Sequence, residues 1–410
     1  MKKLKEKQIQ VKEKKIKKAK KDNKNSVKNA SFSLFEVISV IVITAVVVSL
    51  CSGVVVFTNY SNINKKINYS KDSSFKELQE TYNHIIGSYV DKIDEGALVN
   101  SAIKGMFDYL EDNNTDYLEE GETQDLQEKL NGKYTGIGIE VRSDDNGIIL
   151  VKVFVDTPAH EAGLKAGDKI LSINGQNLEG KDSTYLANIL KKEKNQTYII
   201  EYKREDKTSK VTVKTQEVQI PSVTSKIIDN IGYLKINAFA QNTYNQFNKE
   251  LVTLESSNIK GLIIDVRSNT GGYLDSAYNI ADLFIKKDKI IYQLRDKDGK
   301  KTAYKAKTEE SREYQVVFLI NGGSASASEI LAASLKDNNN AKFVGTTSYG
   351  KGTVQNTQNL TGGSMIKYTT AYWLTPKGIC INKIGLKPDT EVEFKIDKDI
   401  QLEAALKEFQ

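Results

Sequence analysis

Three short segments hold the side chains and backbone groups best suited to chemistry: D-V-R-S-N-T-G-G at 265–272, N-G-G-S-A-S-A-S-E-I at 321–330 and G-T-T-S-Y-G-K-G-T-V-Q at 345–355. Each leaves or follows an apolar, strand-like run. Ser326 stands after Gly322-Gly323 at the start of a helical stretch, where backbone N–H groups have no intrahelical partner and suit a developing negative charge. The same Ser326-x-x-Glu329 spacing is a capping box, so a serine-rich helix start also has a purely structural explanation. Spacing alone does not choose among Ser324, Ser326 and Ser328. Lys351 lies between Gly350 and Gly352, whose lack of bulk leaves room for its side chain in a confined pocket. A lysine acts as a base only when neutral, which requires desolvation to draw its pKa down from ~10.4.

Other chemistries fit less well. Gly345-x-x-x-x-Gly350-Lys351 nearly spells a phosphate-binding loop, and Leu262 to Asp265 mimics the acidic strand that accompanies one. Gly352, however, stands where a Ser or Thr should bind magnesium, and the T-V-Q-N-T-Q-N-L-T-G-G that follows is a poor helix. His84, His160, Cys51 and Cys380 are the whole supply of imidazole and thiol, too few for a Cys/His zinc site. Neither histidine has the setting of a catalytic triad: His84 falls in a helical pattern and His160 at a loop and helix start. Cys51 lies in an apolar run, which leaves Cys380 without a disulfide partner.

The elements that must position these segments follow from periodicity. From 218 to 395 strands at 232–236, 261–266, 316–320 and 342–345 alternate with helical stretches at 244–254, 275–284 and 326–336, an α/β pattern. A further strand at 366–374 carries the one tryptophan, Trp373, in a packing role. Residues 131–217 instead show short alternating strands at 148–154, 198–203 and 210–214 between turn clusters. Within 61–130 Phe75, Leu78, Tyr82, Ile85, Ile86 and Tyr89 recur at helical spacing, and 97–110 repeats the pattern, predicting packing helices. Residues 396–410 form a C-terminal helix or tail.

The net charge of +6 is not spread over the chain. Residues 1–30 carry 13 Lys against Glu6, Glu13 and Asp22, a local +10, so the remainder is mildly acidic and gives no sign of a nucleic-acid partner. After this basic tail (1–33) comes V-I-S-V-I-V-I-T-A-V-V-V-S-L-C-S-G-V-V-V-F at 37–57, uncharged and long enough for a bilayer core. The expectation is a single uncleaved transmembrane anchor over 34–58, with the tail cytoplasmic and everything beyond it outside. A cleaved signal peptide would need a small-residue cleavage site after the apolar run, and a lipoprotein would need a small residue in place of Leu50.

The block 131–217 contains Y-T-G-I-G-I-E and then T-P-A-H-E-A-G-L-K-A-G-D-K-I-L-S-I-N-G, and it resembles a PDZ domain. The resemblance places Gly136, Ile137, Gly138 and Ile139 as its carboxylate-binding loop. Glycines there let successive N–H groups converge on a peptide carboxylate while the next strand pairs with an extended chain.

Together with 265–272, 321–330 and 345–355, this block resembles the carboxy-terminal processing peptidases, or tail-specific proteases, over roughly residues 75–395. The resemblance implies an α/β, crotonase/ClpP-like protease core at 218–395 behind the PDZ domain, and a serine endopeptidase that takes unfolded proteins with nonpolar C-terminal tails. It implies Ser326 as nucleophile, Lys351 as general base and Gln355 as the group orienting the lysine, with the Gly272 and Ala327 N–H groups as oxyanion hole. It implies no metal or cofactor, and a homodimer formed through the N-terminal helices and C-terminal segment. Family members use an arginine after the PDZ helix in gating, and here Lys191 stands in that stretch. The competing reading is a non-catalytic membrane-anchored PDZ scaffold.

Overall fold

The computed structural model describes residues 73–144, 147–191 and 194–410. The tail and the anchor expected over 34–58 lie outside the described residues, as does Cys51; Cys380 is a free thiol. Among the described residues no helix is long and apolar enough to cross a membrane.

The chain divides into two units, residues 1–98 and 99–410. The first contains α1 (Ser73–Ser88), and α2 (Glu95–Asp108) begins in it. The Tyr82 hydroxyl donates to Glu95 at 3.0 Å. The apolar stripe does not pack as its spacing predicts: Phe75, Leu78 and Tyr89 are exposed, because no described element of that unit covers them.

In the second unit β1 (Asp116–Leu118) interrupts the helical region expected over 61–130. Three residues are too few to show an alternating pattern, and this strand forms because it finds a partner far along the chain. Then come α3 (Glu120–Asn131) and β2 (Lys133–Gly136).

The next block is β3 (Ile139–Asp144), β4 (Gly147–Val153), α4 (Pro158–Glu161), β5 (Lys169–Ile173), β6 (Gln176–Asn177), α5 (Ser183–Lys191), β7 (Thr197–Arg204) and β8 (Lys207–Lys214). Its antiparallel sheet runs β3-β4-β5-β7-β8, and its core is built on Ile148, Leu150, Ile170, Leu186, Ile200 and Val213. β9 (Gln216–Gln219) then pairs antiparallel with β2, so the entering and leaving strands form a neck. His160 on α4 is exposed, as is His84 on α1.

The core contains β10 (Val223–Ile228), β11 (Ile231–Ile236), α6 (Thr243–Glu255), β12 (Gly261–Asp265), α7 (Leu274–Asp282), β13 (Ile290–Asp296), β14 (Lys301–Lys305) and β15 (Gln315–Ile320). It continues with α8 (Ala327–Asn339), β16 (Lys342–Gly345), β17 (Thr353–Asn359), β18 (Met365–Leu374), β19 (Thr390–Glu391) and α9 (Ile400–Lys407). Strands β11, β12, β15, β16 and β19 form a parallel sheet with β10 antiparallel at one edge. Both faces are covered, which is why β12 and β15 read as unbroken apolar runs. Leu262, Ile264, Val316 and Phe318 pack with residues of α6, α7 and α8, whereas Ile263, Val317 and Leu319 pack against α9.

A second sheet of order β1-β18-β13-β14, with β17 on the other edge of β18, is largely unforeseen by the sequence reading. It sets β1 against one end of β18 (Tyr117 opposite Ile366) and puts Gln355 on β17 opposite Thr369. All three chemistry-bearing segments leave the C-terminal ends of parallel strands β12, β15 and β16, where sites in open α/β sheets form.

The D-V-R of the first segment is structural. Asp265, fully buried, accepts from the Tyr233 hydroxyl at 2.7 Å and from Arg267 Nη2 at 2.7 Å. The same guanidinium reaches Asp399, the N-cap of α9, at 2.8 and 2.9 Å. Arg267→Met leaves Asp265 as a buried carboxylate without its counter-charge and should cost about 3 kcal/mol of unfolding free energy. Urea denaturation checks this; a loss under about 1 kcal/mol, the range of exposed pairs, would show the clamp to be dispensable.

Candidate active site

Ser326 is the N-cap of α8 with φ 56° and ψ −114°, a backbone conformation that a non-glycine residue holds only where its surroundings enforce it. Gly271 is what permits the approach: a Cβ there would lie 2.9 Å from Ser326 Cβ and 2.8 Å from Ala325 O. The hydrogen bonds separate the three serines. Ser324 Oγ donates to Val266 O at 2.8 Å, and Ser328 Oγ to Asn269 O at 2.9 Å, both buried. Ser326 stands in a capping box with its side chain toward the Glu329 N–H, and among the described residues its hydroxyl donates to no backbone carbonyl; the residue lines a cavity of about 320 Å³.

That cavity brings Ser326, Gly272 and Gln355 together, with Leu274, Ile330 and Val354 giving it an apolar side. Gly272, at φ 136°, is bridged to Phe239, whose N–H donates to Gly271 O at 3.1 Å and whose carbonyl accepts the Tyr273 N–H at 2.8 Å. The Gly272 N–H takes no part in that bridge. Ala327 is the first residue of α8, where a backbone N–H has no intrahelical acceptor.

Glu329 does more than cap. Its carboxylate, 1% exposed, accepts from Ser326 N at 2.8 Å and Lys351 N at 3.0 Å on one oxygen. The other oxygen accepts from Ser348 Oγ at 2.6 Å and Gly350 N at 2.7 Å. The backbone nitrogens of Ser326 and Lys351, 2.8 and 3.0 Å from one oxygen, therefore lie within about 6 Å of each other. Burial holds the Glu329 pKa above the ordinary carboxylate value despite these donors.

Lys351 is half-buried, and its carbonyl accepts the Trp373 indole N–H at 2.8 Å, so the packing tryptophan also anchors the lysine backbone. Burial of the amine, aided by the Lys367 ammonium, holds its pKa below the ordinary lysine value, against the pull of Asp112 and Glu329. Among the described residues no hydrogen bond joins Lys351 Nζ to Ser326 Oγ or to Gln355. The flanking glycines serve a different purpose from the one their sequence suggests: a Cβ on Gly352 would lie 2.6 Å from Asn382 Cβ, and one on Gly350 2.7 Å from Gly385 N. They admit the 381–385 backbone rather than the lysine side chain. Lys351 is followed by strand β17 and not by a helix, which removes the phosphate-loop reading.

Gln355 Nε2 donates to Thr353 Oγ1 at 3.0 Å and Thr369 Oγ1 at 3.2 Å. Thr369 in turn donates to Asp112. Neither Asp112 nor Thr369 stood out in the sequence; the only trace is the turn-forming D-N-N-T at 112–115.

In the 131–217 block a groove of about 70 Å³ runs between β3 and α5, with Ile139, Val141, Leu186, Ala187 and Leu190 on its walls. Gly138 has φ 84° and a Cβ there would lie 2.3 Å from Thr157. Ile137 turns its side chain into the core, and its carbonyl accepts from Ala159 N at 2.9 Å. Tyr134 crosses over Gly136, and its buried hydroxyl faces the Gly138 and Ile139 N–H groups. Lys191 reaches Asp125 at 3.2 Å and Glu128 at 3.0 Å on α3.

Comparison with known proteins agrees with this organisation. Residues 230–392 match peptidase family S41, 135–215 match the PDZ domain and 54–123 match the activating protease CtpB N-terminal domain. The carboxy-terminal processing protease CtpA of Bacillus subtilis (strain 168) is 33% identical over 356 residues, 86% of this chain and 76% of that protein. The carboxy-terminal processing protease CtpB of the same organism is 35% identical over 329 residues, 79% of this chain and 68% of that protein. With a PDZ domain preceding an α/β core, the chain belongs to the carboxy-terminal processing proteases of peptidase family S41 and is a serine-type peptidase.

Proposed function

We propose that this peptidase works by a Ser-Lys acyl-enzyme mechanism on extracytoplasmic proteins with nonpolar C-terminal tails. Ser326 is the nucleophile. The observation that carries this is the hydrogen bonding of the serine cluster: Ser324 and Ser328 are tied to backbone carbonyls, while Ser326 faces the cavity on a strained N-cap.

Neutral Lys351 takes the Ser326 proton through its Nζ lone pair as Oγ attacks the scissile carbonyl carbon. The Gly272 and Ala327 N–H groups stabilise the resulting oxyanion. The lysine ammonium then protonates the leaving amine, and water, deprotonated by the same amine, hydrolyses the ester and returns the serine. The Gln355 carbonyl oxygen accepts a hydrogen bond from Nζ and aims the lone pair. With the Lys351 backbone held by Glu329 and Trp373, rotation of its flexible side chain is the movement that brings Nζ to Oγ. No step calls on a metal or cofactor.

The apolar walls of the groove, above all Leu186 and Leu190, support capture of a nonpolar tail whose carboxylate rests in the 136–139 loop. The uncharged run at 37–57 behind a basic tail supports a single-pass anchor in the cell membrane, cytoplasmic N-terminus and external catalytic domain. Exposed Phe394 and Ile396 in the C-terminal segment and Met106 on α2 support a homodimer.

Ser326→Ala and Lys351→Met should each reduce cleavage of an unfolded reporter with a nonpolar C-terminus by at least ~10³-fold, read as fragments on a gel. Because the folded-state pKa of Lys351 is depressed, its burial penalty is full below that value and shrinks as pH rises toward ~10.4. Lys351→Met should therefore melt at the same or a higher temperature at neutral pH. Retained cleavage in either variant sinks the mechanism, and a large drop in melting temperature makes Lys351 structural.

For the groove, Ala187→Glu places a charge in an apolar channel. It should raise KM for the nonpolar-tailed reporter about tenfold or more with kcat little changed. An unaltered KM would remove this groove from tail capture.

A further inference from the structure

Asp112 stands in the turn before β1, yet its carboxylate reaches the active-site sheet. One oxygen, Oδ2, accepts from Thr369 Oγ1 at 2.5 Å and from Thr115 Oγ1 at 2.7 Å. The other accepts from Asn114 N at 3.0 Å and Asn114 Nδ2 at 3.3 Å. Burial opposes its charge, but the bonds from Thr369, Asn114 and Thr115 hold its pKa below the ordinary aspartate value, so it is ionised and can only accept.

An acceptor at this end dictates the direction of every hydrogen bond between it and the lysine. A threonine hydroxyl has one proton, and Thr369 gives it to Asp112; toward Gln355 the same oxygen can only accept. The Gln355 amide nitrogen must therefore face Thr369, where it lies at 3.2 Å, with its second proton on Thr353 at 3.0 Å. The amide is planar, so its carbonyl oxygen points the opposite way. The direction matters for a neutral lysine, which has two N–H protons and one lone pair. A carbonyl oxygen binds a proton and leaves the lone pair for the serine hydroxyl. An amide NH₂ in its place would bind the lone pair and disable the base.

We propose that Asp112 is a positioning residue which, through Thr369, sets the end of the Gln355 amide presented to Lys351 and thereby the direction of the lysine lone pair. The inference rests on the reading of Lys351 as base. It adds a dependence on chain lying before the PDZ domain: the turn that holds Asp112 is docked by Thr369 N to Thr115 Oγ1 at 3.0 Å and by β1 on β18.

The test uses the full chain and an unfolded reporter, with kcat, KM, the pH profile of kcat/KM and the melting temperature read for each variant. Thr369→Val removes the relay hydroxyl and should lower kcat at least about tenfold at unchanged KM, whereas Thr369→Ser, which keeps it, should retain wild-type kcat. Asp112→Asn should also lower kcat. It removes one of the two carboxylates that raise the Lys351 pKa, leaving Glu329 and the opposing Lys367, so the acidic limb should move to lower pH. Thr369→Val keeps the charge and should show the kcat loss without that movement.

Wild-type kcat in Thr369→Val, equal loss in the Ser and Val variants, or a loss matched by collapse of the melting temperature in both Asp112→Asn and Thr369→Val would overturn the relay. Activity surviving in Lys351→Met would instead overturn the base. An inactive Lys351→Met beside a fully active Thr369→Val removes the relay and leaves the Ser-Lys mechanism standing.

Discussion

Inside the core, at the third position of α8, a carboxylate is closed off from water and accepts four hydrogen bonds from four different residues. Removing Glu329 from solvent is costly, and the cost is offset only because Ser326 N, Ser348 Oγ, Gly350 N and Lys351 N all converge on it. Three of those donors are main-chain groups, so the contact fixes backbone rather than side chains. It ties the helix that begins after Ser326 to the loop that precedes β17, two segments brought together by parallel strands β15 and β16. Without it, the strained N-cap and the lysine backbone would have no common reference point.

That arrangement explains why the site can be both rigid and adjustable. Ser326 keeps its strained φ where Glu329 holds its N–H and the 271 backbone runs too close to leave room for a side chain there. Lys351 is held at its N–H by Glu329 and at its carbonyl by Trp373, yet its side chain has four rotatable bonds and no hydrogen bond or ion pair at Nζ among the described residues. The half-buried setting and the Lys367 ammonium hold the amine's pKa below the ordinary lysine value, because burial disfavours the charged form.

Much of this was legible in the sequence where local pattern and local chemistry coincide. Strands β11, β12, β15 and β16 and helices α6, α7 and α8 lie within a few residues of where periodicity puts them, since apolar runs and 3.6-residue stripes are properties of contiguous chain. What was not legible depends on pairing over long distances. β1 is three residues long and exists through β18; β17 is a polar strand whose T-V-Q-N-T-Q-N has no apolar alternation. Gly350 and Gly352 were visible as glycines, but the 381–385 backbone that requires them comes thirty residues later. Glu329 was readable as a cap because Ser-x-x-Glu is local, and its hold on Lys351 was not. The stripe on α1 shows the reverse failure: its spacing was right, and its predicted burial was not, because amphipathicity states which face is apolar and says nothing of what covers it.

The PDZ domain and the protease cavity share one element, α3. Its first half carries Asp125 and its second Glu128, and both meet Lys191 at the end of α5; Leu130, two residues after Glu128, lines the cavity that contains Ser326. Its last turn is fastened to the core where Gln241 N donates to Leu130 O at 2.8 Å and Asn242 Nδ2 to Gly132 O at 2.9 Å. A lysine suits this contact in a way different from an arginine. Two carboxylates three residues apart on one helix face offer separate acceptors rather than the planar pair that a guanidinium fork matches, and an ammonium with three rotatable donors can reach both. Although half-burial works against its charge, the bonds to Glu128 and Asp125 hold the Lys191 pKa above the ordinary value, so the side chain is a cation at neutral pH. Lys191 thus makes an electrostatic tie between α5 and α3, which supplies a wall of the cavity, without the directional geometry of a bidentate guanidinium.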